Sequence, residues 1–237
     1  MHTYQWGSDR IRFMADACEY SSYYQQLSEL LAPYLKGAEH VCDVGCGLGY
    51  LSLELAKLVS NVTAVEINEE AVQVLRKNCA ARRISNIDVL CADAFSMDQS
   101  LKFDRMIFCV FGSIEEVLFI GEKHCRGDIL MITRNEKHHR FSCELDTLRE
   151  KKYSFENNCY ELRQRSIPFH AQEFSLEFGQ PFRSLQEASD FYGLYSKNGE
   201  ISDEELMTRL VKTQRDDFLY YLPKKSNLGL IRIALGK

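Results

Sequence analysis

No stretch of this 237-residue chain is apolar for long enough to span a bilayer, which removes a helical membrane protein from consideration. A second absence is a basic excess. The net charge is −5 with a sequence pI near 5.7, and residues 136 to 237 hold 16 basic and 16 acidic side chains. The first 135 residues hold 13 basic and 18 acidic ones, so nowhere is there the broad positive footprint of a protein that grips phosphates. Nucleic acid is therefore not the expected partner. There is also no C-x-x-C pair among the nine cysteines, whose scattered spacing does not match a zinc site, and no metal is expected. Cys42, Cys79, Cys91 and Cys109 fall in predicted strands and helices, where cysteine acts as a small apolar residue. Met1-His2-Thr3-Tyr4-Gln5-Trp6 lacks the basic-then-apolar pattern of a secretory leader, and a cytoplasmic location with reduced thiols is the expectation. Internal repeats and low-complexity linkers are missing too, and the length suits one α/β domain with an elaboration.

What is present is an alternation of strand and helix signals. His40 to Val44 reads as a strand, Tyr50 to Leu58 as a helix and Val62 to Ile67 as a second strand. Asn68 caps the next helix, with Glu69 and Glu70 in its first turn and Val72, Leu75 and Cys79 spaced by three and four. Ile87 to Ala92, Arg105 to Phe111 and Asp128 to Thr133 read as strands, and Ser113-Ile114-Glu115-Glu116 is a capping box opening a helix before the last of them. Upstream, Ser21 or Ser22 caps a helix to about Leu35, in which Pro33 is expected to kink or end the run. Strands alternating with helices predict a parallel sheet covered on both faces. After residue 135 the pattern changes. The aromatic stretch Tyr160 to Phe178 reads as extended, capping boxes at Ser184 to Glu187 and Ser202 to Glu205 open short helices, and Leu228 to Leu235 is a final strand.

The chemistry concentrates in Asp43-Val44-Gly45-Cys46-Gly47-Leu48-Gly49. A glycine turn between strand and helix is a nucleotide-site signature, but the third glycine of G-x-G-x-x-G would fall on Tyr50. Asp43 sits two residues before the first glycine, where its charge repels a pyrophosphate held at the helix N-terminus. A nicotinamide dinucleotide is thereby disfavoured. A positively charged adenosine cofactor without phosphate fits the same turn, and S-adenosylmethionine is such a molecule.

At this point the chain resembles the class I S-adenosylmethionine-dependent methyltransferases. The carrying residues are the Asp43 to Gly49 turn, Glu66, Ala92-Asp93-Ala94 and Phe103-Asp104-Arg105-Met106-Ile107-Phe108, across roughly residues 38 to 135. The resemblance implies a Rossmann-like, doubly wound α/β fold. Its mostly parallel seven-stranded sheet carries an antiparallel last strand, here preceded by a helical insertion at about residues 183 to 217. It implies an N-terminal helical lid at 1 to 37, a cofactor core at 38 to 135 and substrate-side elements at 136 to 237. It places S-adenosylmethionine on Asp43, Gly45, Cys46, Gly47, Gly49, Glu66, Ile67, Asp93, Ala94 and Cys109. Asp43 would orient the amino-acid end, Glu66 the ribose hydroxyls, Ile67 the adenine face, and Asp93 or the Ala94 N–H the adenine edge. Asp93 also reads as a helix cap.

Family members that methylate planar nitrogens end the fourth strand in an Asn- or Asp-Pro-Pro-aromatic motif. Here Cys109 and Val110-Phe111-Gly112 occupy that place, leaving oxygen, sulfur, carbon or aliphatic nitrogen as target. Cys109, His138 and His139 are the candidate catalytic residues. The apolar flanks Phe108 and Val110 favour a buried thiol, and the histidine pair sits among Glu136, Lys137 and Arg140 as a solvated loop would. His124 and His170 rank below them. Two aromatic groups, Trp6-Tyr20-Tyr23-Tyr24 and Tyr160 to Tyr195, are candidates for a lid and an acceptor wall. The reading is a methyltransferase acting on a small molecule, with RNA or protein methylation and a non-catalytic cofactor-binding protein as alternatives. Monomer and homodimer both stay open.

Overall fold

The computed structural model describes residues 6–135, 153–195 and 201–235. Its central sheet has seven strands. In chain order the elements of the first half are α1 (Ser8–Tyr20), α2 (Tyr23–Leu35), β1 (His40–Val44), α3 (Tyr50–Leu55), β2 (Asn61–Glu66), α4 (Glu69–Arg82), β3 (Ile87–Cys91), β4 (Phe103–Cys109), α5 (Ile114–His124) and β5 (Cys125–Arg134). There follow α6 (Phe155–Gln164), β6 (Phe169–Glu177), β7 (Gln180–Phe182), α7 (Leu185–Tyr195), α8 (Asp203–Arg209), β8 (Val211–Lys212), β9 (Tyr220–Leu222) and β10 (Lys225–Ala234). The large sheet runs β3-β2-β1-β4-β5-β10-β6, with β10 antiparallel to both neighbours and the first five strands mutually parallel. This is the expected mixed, doubly wound α/β sheet.

Strand alternation divides the core between its two faces. Val41, Ile107, Leu130, Ile132 and Leu230 meet Leu27 and Leu31 of α2 and Leu51 of α3. Cys42, Val44, Phe108, Met131 and Ile231 meet Ile114, Val117 and Leu118 of α5 and Leu162 of α6. At the far end of the sheet the Asp128 carboxylate joins Arg105 of β4 at 3.5 Å and Arg232 of β10 at 2.9 Å, which ties three adjacent strands together.

Local caps act as the residue types require. The Asn68 side chain accepts the Ala71 N–H, and the Ser113–Glu116 box is closed from both sides. Four expectations are corrected. The third helix ends at Leu55 rather than Leu58. The fourth strand ends at Cys109, because Val110 takes φ +56° and turns the chain out of the sheet after its N–H has bonded β5. Pro33 lies inside α2, which runs on to Leu35. Tyr160 to Gln164 is helical: Ser154 caps α6 through the Asn157 N–H, and Phe155, Cys159 and Leu162 repeat at four and three, a helical period hidden behind the aromatic content.

The insertion between β6 and β10 combines α7 and α8 with a three-stranded antiparallel sheet, β7-β9-β8. It shares a core with α1, a helix the sequence reading did not resolve. Phe13 stands edge-on to Phe191 at 5.0 Å and to Phe182 at 6.3 Å. Gln180 Nε2 donates to the Phe13 carbonyl at 3.0 Å, Arg183 clamps both oxygens of Asp16 at 2.6 and 2.7 Å, and Arg12 pairs with Glu187. Together α1 and the insertion make one cap. Phe13→Ala is expected to cost this cap about 3–5 kcal/mol. Hydrogen exchange should then show lost protection in α1 and α7 while β1, β4 and β5 keep theirs; uniform loss across the sheet would contradict a separable cap.

Candidate functional site

The order of the parallel strands reverses between β1 and β4, and a crevice opens there at the carboxyl ends of the strands, where doubly wound sheets bind ligands. The crevice is a cavity of about 720 Å3, within the roughly 300–1,000 Å3 of small-molecule sites. All ten residues assigned to the cofactor from the sequence line it: Asp43, Gly45, Cys46, Gly47, Gly49, Glu66, Ile67, Asp93, Ala94 and Cys109.

The turn is built from its backbone outward. The N–H groups of Gly45 and Cys46 both donate to the Val65 carbonyl, at 2.8 and 3.0 Å. The Gly47 N–H donates to Glu66 Oε2 at 3.0 Å, and the Gly49 N–H to the Cys46 carbonyl at 2.9 Å. These four donors are therefore committed inside the protein, whereas a dinucleotide turn keeps its donors for the pyrophosphate. Gly45 and Gly49 have φ +69° and +76°, and a Cβ would run into the Phe111 ring at the first and into Leu75 at the second.

Asp43 is 1% exposed, and its carboxylate accepts the Ser52 hydroxyl at 2.6 Å. Burial lifts its pKa to about 6, opposed by the Ser52 hydrogen bond and helped by the charge of Glu66. Glu66 uses one oxygen for Gly47 and the other for the Asn68 N–H at 2.9 Å, so each retains acceptor capacity. Of the two roles the sequence left open for Asp93, the structure shows the cap. Asp93 caps a short turn through the Phe95 N–H at 3.0 Å and still faces the cavity beside Ala94. Ile67 remains 48% exposed at the cavity rim.

Burial, then the neighbouring Asp43, pushes the Cys109 thiol up to about 12, with Arg134 opposing. Cys46 is raised well above its usual value by burial and then by Asp43 and Glu66. Both are neutral thiols and poor nucleophiles near neutral pH. His138 and His139 lie outside the described residues. His124 is buried, with Nδ1 3.0 Å from the Leu101 carbonyl, and His170 is exposed on β6; neither lines the cavity. Among the described residues no cluster of His, Cys, Asp or Glu could hold a metal ion, and no helix is long and apolar enough to cross a membrane.

The aromatic groups divide. Trp6, Tyr23, Tyr24, Phe178 and Tyr195 line the cavity, whereas Tyr20 stacks on Tyr221 at 4.9 Å outside it. Sequence reasoning missed Arg10 and Met14 of α1, Phe191 of α7, and Thr133, Arg134, Gln180, Ser226 and Leu228. The Thr133 and Arg134 positions follow from the end of β5 and those of Ser226 and Leu228 from its pairing with β10, but Arg10, Met14, Phe191 and Gln180 required knowing where α1 and the insertion dock.

A family profile described as a methyltransferase domain matches residues 35–180. The chain belongs to that methyltransferase domain family. Its donor is S-adenosylmethionine. Ribosomal protein L11 methyltransferases are similar over shorter stretches. That of Acetivibrio thermocellus is 44% identical over 61 residues, 25% of this chain and 20% of that protein. That of Campylobacter lari is 32% identical over 108 residues, 44% of this chain and 38% of that protein. The chain thus matches well under half the length of these relatives. The fold is also that of the YcgJ protein of Bacillus subtilis, at TM-score 0.55 and 14% identity over 90% of this chain and 99% of that one.

Val110 is the strained point of the site. A β-branched residue at φ +56° is an outlier, and it throws Phe111 onto Gly45 while its own N–H bonds the Ile132 carbonyl at 2.7 Å. Such strain is worth about 1–3 kcal/mol. Val110→Gly relieves it against a flexibility cost of about 0.5–1 kcal/mol. The expected result is a rise of about 1 kcal/mol in stability by urea unfolding of the cofactor-free protein; a fall would mean that the valine side chain packs better than its 43% exposure indicates.

Proposed function

We propose that this protein transfers a methyl group from S-adenosylmethionine to a small-molecule acceptor. The observation that carries the donor side is Asp43: a buried carboxylate under a glycine turn whose N–H groups are already bonded internally. That arrangement favours a cation and offers little to a phosphate. The residues fit the donor in shape as well, since side chains at Gly45 or Gly49 would fill the cradle. In this reading Asp43 faces the ammonium and sulfonium charges, Glu66 accepts the ribose hydroxyls, Ile67 covers one adenine face, and Asp93 or Ala94 meets its edge. When bound, S-adenosylmethionine supplies an electrophilic methyl carbon for in-line displacement by oxygen, sulfur, carbon or an aliphatic amine. The protein's part is to position the acceptor and exclude water, and no obligate base is needed when the acceptor is already a nucleophile.

The acceptor side rests on the aromatic lining. Trp6, Met14 of α1, Phe191 and Tyr195 of α7, and Tyr23, Tyr24 and Phe178 line the cavity, as suits a small ligand with an apolar body. The cavity continues past Cys109 to Thr133, Ser226 and Leu228, leaving room for a second molecule beside the donor. That room counts against a non-catalytic cofactor-binding role. Methylation of RNA or protein is the competing reading, and the likeness to the L11 methyltransferases speaks for it.

Two measurements test this reading. Because Asp43 ionises near pH 6 in the free protein and a cationic donor favours its ionised form, binding releases a proton below that pH. Donor affinity should therefore be flat above about pH 7 and fall up to tenfold per pH unit below about 6. Asp43→Asn should bind weakly at every pH, and a pH-independent wild-type affinity would remove Asp43 from the donor site. The sign for stability is opposite to that of a salt-bridged carboxylate: the buried acid favours the fold at low pH, and that contribution is lost as pH rises from about 4 to about 6. Second, purified protein given methyl-labelled donor and a cell extract should place label in the small-molecule fraction. Label confined to RNA or ribosomal protein would decide for the competing reading.

A further inference from the structure

The two halves of the cavity differ in charge. Asp43, Glu66 and Asp93 stand at the ends of β1, at the end of β2 and just after β3, on the side where the donor is proposed to lie. On the other side, at the end of β5, stands Arg134. Asp43 is in register with Ile107 and through it with Leu130, four residues before Arg134, so with strands roughly 4.8 Å apart and a rise of about 3.3 Å per residue the Arg134 backbone lies two strands across and about 16 Å from that of Asp43. Arg134 is half-buried and shares its sheet face with Ile132, Leu130 and Leu228, beside Cys109.

Several other half-buried or exposed arginines in this protein have carboxylates. Arg105 and Arg232 share Asp128, and Arg183 holds Asp16. Arg134 forms no hydrogen bond or ion pair with any described residue. A guanidinium half-buried beside apolar side chains without a counter-charge is costly, and a bound anion removes that cost. Nearby, the Thr133 hydroxyl is 3% exposed and has no hydrogen-bond partner among the described residues, and the buried Ser226 adds a further hydroxyl to the cavity lining.

We infer that the acceptor is an anionic molecule with an apolar or aromatic body, whose oxyanion is seated on Arg134 at the end of β5. Guanidinium pairs with carboxylate and with phosphate through the same two-pronged geometry. The cavity lining carries Asp43, Glu66, Asp93 and Glu116 against Arg10 and Arg134, a net negative surround that matches a monoanion better than a dianion, so a carboxylate is the favoured form. The inference rests on the small-molecule reading above.

The test is calorimetry on protein saturated with S-adenosylhomocysteine, titrated with benzoate, phenyl phosphate and benzamide as probes of one body and three head groups. Benzoate is expected to bind at least tenfold tighter than benzamide, with phenyl phosphate between them. Arg134→Gln should abolish the preference, and Arg134→Lys should keep part of it. Affinity for S-adenosylhomocysteine should stay within threefold of wild type in both variants, which also reports that they fold. Equal binding of benzoate and benzamide, or a preference that survives Arg134→Gln, overturns the role of Arg134 and leaves the small-molecule reading standing. A tenfold or larger loss of S-adenosylhomocysteine affinity in Arg134→Gln would reassign the arginine to the donor and overturn the inference. Phenyl phosphate binding tighter than benzoate would replace carboxylate by phosphate. No binding of any probe to the loaded protein would sink the inference together with the small-molecule reading.

Discussion

One carbonyl group organises the site. The oxygen of Val65, at the end of β2, accepts the N–H groups of both Gly45 and Cys46. This folds the chain leaving β1 back over its neighbour before α3 begins. A residue with a Cβ at Gly45 would collide with Phe111, so the path is open only to glycine. Everything around it follows. Glu66, next after Val65, is placed to take the Gly47 N–H, and Asp43 is left beneath the turn with Ser52 as its hydrogen-bond donor. The donors that many nucleotide folds offer to phosphate are spent on the protein itself. The field in this half of the cavity is consequently negative, which decides what charge of ligand it favours.

The second constraint is the cap. A helix near the start of the described chain and an insertion more than 160 residues later bury Phe13, Phe182 and Phe191 in one cluster. Neither piece has an adequate core alone: α1 buries Phe13, Ala17 and Cys18, and the three-stranded sheet has strands of two and three residues. Their union supplies aromatic walls from both directions, while the sheet supplies the floor. Catalytic proteins of this architecture can thus alter what they accept by altering the cap and leave the donor half unchanged.

The sheet and the glycine turn at its carboxyl end were legible in the sequence because local rules and tertiary structure agree there. Asp43 to Gly49, Glu66 and the Asn68 and Ser113 caps each have one conformation that suits them, and the parallel strands read as apolar runs. Legibility fell where the signals were tertiary. Phe13 looks like an isolated aromatic until α7 is seen against it. Val110 occupies a backbone region that a valine avoids, so no propensity argument places it. Arg134 looks like any strand-end cation, and its significance lies in the carboxylates that are not beside it. The aromatic stretch around Tyr160 misled because ring content was weighed above the four-and-three spacing of Phe155, Cys159 and Leu162.

The position of β10 governs the order of assembly. It lies between β5 and β6 in the sheet yet comes last of the three in the chain, after the whole insertion. During synthesis β1 to β5 can therefore form a partial sheet with its glycine turn while β5 still presents an open edge. The edge stays unpaired until some hundred further residues have been made, and Arg183 can meet Asp16 only after a loop of 167 residues has closed. The donor half thus exists before the cavity has walls. For that interval the nascent protein is a cofactor site exposed to water with a bare strand beside it, vulnerable to edge pairing with other chains. Closing the pocket and covering the edge are completed by the same late segment.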